Sequence, residues 1–81
     1  MELVVVERIL DQPYTEQDLR ALESRSATCL ELHQVKRVKS YLSRDRSRLI
    51  CIYSAPDAEA VRHANRMAGF GFESIWTADA F

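Results

Sequence analysis

Apolar positions along the chain fall into two kinds of pattern: short runs suited to an extended backbone and longer stripes at helical spacing. Leu49, Ile50, Cys51, Ile52 and Tyr53 form the clearest run. Successive strand residues point to opposite faces, so an unbroken apolar series predicts a central strand covered on both sides. Leu3, Val4, Val5 and Val6, within a strand from Leu3 to Ile9, predict a second strand of the same kind. Pro56, with a fixed φ suited to a first helical position, opens a helix whose positive end is met by Asp57 and Glu59. Ala60, Val61, Ala64, Met67 and Ala68 mark its inner stripe, and Gly69 supplies a left-handed terminus.

The remaining elements follow from the same two periods. Thr15 and Asp18 have the spacing of a capping box, and Leu19, Leu22, Ser26, Cys29, Leu30 and His33 then mark the stripe of a helix ending near His33. Its outer face carries Glu16, Arg20, Glu23 and Glu31. Between Val35 and Ser43 lies a half-polar edge strand, in which Val38 and Leu42 are expected to face the helices and Arg37, Lys39 and Tyr41 the opposite side. The polar segment 43–47, SRDRS, is the turn of a hairpin leading back into Leu49. After Gly69, Phe70 and Gly71, the segment from Glu73 to Asp79 makes a last strand with Ile75 and Trp76.

The order β-α-β-β-α-β in one domain, residues 1–81, implies a ferredoxin-like α+β sandwich: a four-stranded antiparallel sheet with both helices on one face. Both central strands are nevertheless apolar on both sides, so the other face needs a cover as well. A second copy of the chain is the simplest one, and two sheets packed face to face give a homodimeric α/β barrel with an enclosed interior.

Composition narrows the partners. With 47% hydrophobic and 28% charged residues the chain is an ordinary globular protein, and at 81 residues its core is small enough that a partner subunit would help it. A net charge of −1 gives no overall attraction to nucleic acid or an anionic membrane. No apolar segment approaches the roughly 18 residues of a membrane span. The N-terminal segment reads as a strand rather than a signal peptide, and Cys29 and Cys51, which form no CxxC pair, read as reduced thiols of a cytoplasmic protein.

Candidate chemistry is sparse. No nucleophile, base and orienting group occur at a diagnostic spacing. Cys29 and His33 share one helix face and are the candidate metal ligands, although two ligands do not make a site and both fit packing and helix-end roles. Six basic residues, Lys36, Arg37, Lys39, Arg44, Arg46 and Arg48, cluster around the edge strand, but the first strand offers Leu and Val where an RNA-binding sheet would need aromatic rings. Nucleic acid is therefore not the expected partner. Arg37, Lys39 and Tyr41, with Tyr53 of the neighbouring strand, form the candidate ligand site. Cations in a partly dry interior need counter-charges, from Glu7 or another carboxylate or from a bound anion. Cys51, Phe70, Phe72 and Trp76 read as packing residues.

The segments SYLS, CIYSAPDAEAVR and AG before the last strand, with VER near the start and TEQDLRAL opening the first helix, resemble a family of small ferredoxin-like proteins that includes a nickel-binding protein. The resemblance implies a dimeric α/β barrel, nickel as a family cofactor and no established enzymatic activity. Where such proteins often carry histidine, before the SY pair and in the second helix, this chain has Lys39 and Ala64. The resulting expectation is a non-enzymatic homodimeric protein that holds a small ligand, anionic in character, or a metal in its barrel interior. A dimeric barrel enzyme of the small monooxygenase or isomerase type is the alternative, and a purely structural or interaction module the third.

Overall fold

A computed structural model describes all 81 residues, Met1–Phe81. Its elements run β1 (Glu2–Ile9), α1 (Glu16–Leu32), β2 (Lys36–Leu42), β3 (Arg48–Ala55), α2 (Ala58–Ala68) and β4 (Ser74–Ala78). The strands form one antiparallel sheet in the order β2-β3-β1-β4, so the two strands with unbroken apolar runs are the central pair and β2 is an edge. This is the ferredoxin-like α+β arrangement.

Local chemistry sets the element ends. The Thr15 N–H donates to Asp18 Oδ2 at 2.8 Å while the Asp18 N–H donates to Thr15 Oγ1 at 3.1 Å, a complete capping box that starts α1. Helix α2 begins two residues later than Pro56 suggests. Asp57 is the N-cap, accepting from the Ala60 N–H at 2.8 Å, and Pro56 lies outside the helix, where its fixed φ still suits the extended approach. Gly69, at φ 80°, turns the chain out of α2 as the Phe70 N–H donates to the Asn65 carbonyl at 2.9 Å. In the β2–β3 turn, Asp45 Oδ1 accepts from Ser43 Oγ at 2.6 Å, Ser47 Oγ at 2.7 Å and the Ser47 N–H at 3.0 Å. Those donors favour the carboxylate and lower its pKa to about 2.

Register decides the two faces. Val4 pairs with Tyr53, Val6 with Cys51 and Arg8 with Leu49, and these side chains share the helix-covered side with Ser40, Leu42 and Ile75. The core assembles there from Val4, Val6, Leu49, Cys51, Tyr53 and Ala55 against Leu22, Leu30, Val61 and Ala64 of the helices. On the other side lie Leu3, Val5, Glu7 and Ile9 of β1 beside Ile50, Ile52 and Ser54 of β3 and Trp76 of β4.

Two sequence expectations change here. Strict alternation through β2 is interrupted by a register shift between Arg37 and Lys39. The extra residue, Val38, is 55% exposed instead of facing the helices, and Arg37 is turned to the helix side, where its Nη2 lies 3.1 Å from Glu23 Oε1 of α1. In α2, Met67 is exposed, and the inward position belongs to Asn65.

Candidate functional site

Beyond the bulge, Lys39 sits opposite Ile52 and Tyr41 opposite Ile50, so both belong to the helix-free face. The Lys39 ammonium lies 5.9 Å from the centre of the Tyr41 ring, within cation–π range, and has no carboxylate in ion-pair reach. Tyr41 and Trp76 project from this face, 54% and 47% exposed, whereas Val5 between Ile52 and Trp76 is only 7% exposed. The other two members of the expected ligand set are not there. Arg37 is on the opposite side, paired with Glu23, and Tyr53 is buried beneath the helices. Lys39 and Tyr41 alone remain together.

The helix-covered side contains a polar cluster that the search for motifs passed over. Arg8 continues the inward alternation of Val4 and Val6 to the end of β1, and is itself buried. Its Nη2 donates to Asn65 Oδ1, and Asn65 Nδ2 in turn donates to the Val61 carbonyl at 2.8 Å. Nε and Nη1 of Arg8 are buried without a partner, and no carboxylate pairs with the guanidinium. Next to it Tyr53 is held neutral: burial pushes its phenol well above the usual range, the neighbouring Cys51 adds to this, and Arg8 opposes it. Cys51 Sγ accepts from Ser40 Oγ at 3.3 Å.

A cavity of about 590 Å³ opens beside Arg8, between the segment leaving β1 and the Gly69–Glu73 segment. Leu10, Tyr14, Leu22, Phe70 and Phe72 supply its apolar wall, and Asp11, Asp18 and Glu73 also line it. Phe70 packs between two guanidinium groups, its ring centre 5.8 Å from Cζ of Arg8 and 4.6 Å from Cζ of Arg25. The signal for this cluster was present in the sequence: Arg8 has the same parity as Val4 and Val6, and Asn65 follows Val61 by four residues on the inner stripe of α2.

The candidate metal ligands do not converge. No group of three or more His, Cys, Asp or Glu side chains is placed to hold an ion. His33 stacks on His63 of α2, ring centres 6.0 Å apart and planes 15° from parallel, a geometry in which in-plane lone pairs do not point at a common centre. His63 Nε2 is 3.7 Å from Glu59 Oε2, and Cys29 and Cys51 are free thiols. No helix is long and apolar enough to cross a membrane.

The profile of the nickel-responsive SCO4226-like proteins matches residues 4–77. The chain belongs to the SCO4226-like family. Its fold closely matches the crystal structure of SCO4226 from Streptomyces coelicolor A3(2), with a TM-score of 0.87 over 98% of each chain at 15% sequence identity. No curated protein matches the chain. The family description carries nickel, but for this SCO4226-like chain the side chains of one copy do not fit that ion: Lys39 stands at the edge-strand position before SY, and the His33, His63 and Glu59 groups offer no convergent set.

Proposed function

We propose that this SCO4226-like protein acts as a homodimer, sheet against sheet, and holds a small anionic ligand in the interior between the two copies rather than catalysing a reaction. One observation carries the reading: the helix-free face presents Leu3, Val5, Ile50, Ile52 and Trp76 as a continuous apolar surface over the two central strands. A sheet left open to water normally alternates apolar with polar residues, and here both sides of the centre are apolar. Lys39 and Tyr41 stand at the border of that surface, and the ammonium without an ion-pair partner favours negative charge. Nickel would require ligands drawn from more than one copy.

Sedimentation at micromolar concentration tests the assembly: a dimer is expected, and a monomer removes the proposal. Thermal melting with phosphate, sulfate and citrate tests the ligand. An anion-dependent rise in melting temperature that Lys39→Ala abolishes, with the dimer intact, is the expected result. A melting temperature unmoved by these anions would leave the interior without a ligand of this class.

A further inference from the structure

We propose that the cavity over Arg8, on the helix-covered side of the sheet, is a second binding site, one that takes a small monoanionic carboxylate with an aromatic or aliphatic body. Arg8 is 6% exposed, always charged and without any acidic partner; the acceptors beside it, the Asn65 carbonyl oxygen and the Tyr53 hydroxyl, are both neutral. A guanidinium buried in this way retains unmet hydrogen-bond donors, because Nε and Nη1 have no partner at all. The missing partner is an acceptor carrying negative charge, and a carboxylate oxygen can accept from Nη1 or from Nε, which lie on different edges of the guanidinium.

The rest of the cavity restricts the class further. Its wall is built from Leu10, Tyr14, Leu22, Phe70 and Phe72, which suits an apolar body of a few carbon atoms. Asp11, Asp18 and Glu73 line it too, and their charge disfavours phosphate and polycarboxylates more strongly than a single carboxylate held at the guanidinium. Phe70 is the residue a ligand must displace. Its ring centre lies 5.8 Å from Cζ of Arg8, and the space beside Gly71 is open to a displaced side chain. This site is separate from the sheet-to-sheet interior and does not depend on dimer formation.

The test uses the intact protein with benzoate, benzyl alcohol and inorganic phosphate as probes. Benzoate at millimolar concentration is expected to raise the melting temperature and to shift the Arg8 Nε–H resonance together with the ring signals of Phe70 and Phe72, while benzyl alcohol and phosphate do neither. In Arg8→Met, which keeps the side-chain length and removes the charge, benzoate affinity should fall by at least about tenfold. Should that variant not fold, the resonance shifts of the unaltered protein decide the matter. No binding of benzoate, equal binding of phosphate, affinity unchanged in Arg8→Met, or shifts confined to Tyr41 and Trp76 would each overturn the proposal.

Discussion

The two faces of the one sheet differ in what each leaves unmet. The face covered by helices holds an arginine, an asparagine and a tyrosine among its buried residues, while the uncovered face shows isoleucine, tyrosine and tryptophan to its surroundings. On the covered side the polar groups answer one another in part: Arg8 donates to Asn65, Asn65 to the helix backbone, and the Tyr53 phenol stays neutral, while Nε and Nη1 of Arg8 stay unmet. On the uncovered side nothing within the chain offsets the exposure. A buried polar cluster and an exposed apolar surface are both unfavourable in an isolated domain of 81 residues, and the proposed ligand rests on the first as the proposed partner copy rests on the second.

The contrast can be broken most forcefully from the covered side. Val6→Asp places an unpaired carboxylate among Cys51, Leu49 and Val61, and is expected to cost more than about 4 kcal/mol, enough to leave the protein unfolded in circular dichroism at room temperature. A folded, cooperative variant would mean that this face is not the core.

Next in size is the arginine-asparagine pair. Asn65→Leu takes the amide acceptor from the Arg8 guanidinium and leaves it only the neutral Tyr53 hydroxyl, and should cost about 3 kcal/mol in urea unfolding, whereas Arg8→Met combined with Asn65→Leu should cost clearly less than the sum of the single changes. Additive losses would show that the two side chains are buried independently.

On the uncovered face, Ile52→Asp separates the two accounts of that surface. If the face meets a second copy, the variant should sediment as a monomer and lose about 1–3 kcal/mol of apparent stability. If the face meets only water, sedimentation should be unchanged and the loss should not depend on protein concentration.

The smallest effect is alkaline. The unfolded chain releases the Tyr53 proton near 10.0, while the folded chain keeps it to higher pH because burial disfavours the phenolate. The stabilising contribution is thus complete below pH 10 and declines as pH rises beyond it. Tyr53→Phe should flatten the alkaline limb of the stability profile between pH 10 and 11; an identical limb in both proteins would assign it to other groups.

The sequence by itself determined the element order, the two central strands and the caps of α1 and α2, because each of these is read from contiguous residues: an apolar run, a Thr-to-Asp spacing of three, a glycine after a helical stripe. Even Arg8 and Asn65 lay at inward phases of their elements, although their mutual approach across 57 positions was not contained in either period. The placement of the candidate ligand residues needed the tertiary structure. Alternation has a period of two, so one inserted residue reverses every assignment before it, and the bulge between Arg37 and Lys39 sent Arg37 to Glu23 while Lys39 and Tyr41 kept the helix-free face. Tyr53 was likewise apolar-run sequence either way, and only its register against Val4 decided that its hydroxyl lies near Arg8 beneath the helices and not in the interior between two copies. A periodicity fixes which residues travel together; which side of the sheet they reach is decided by pairing with strands far away in the chain, since only that pairing sets the phase.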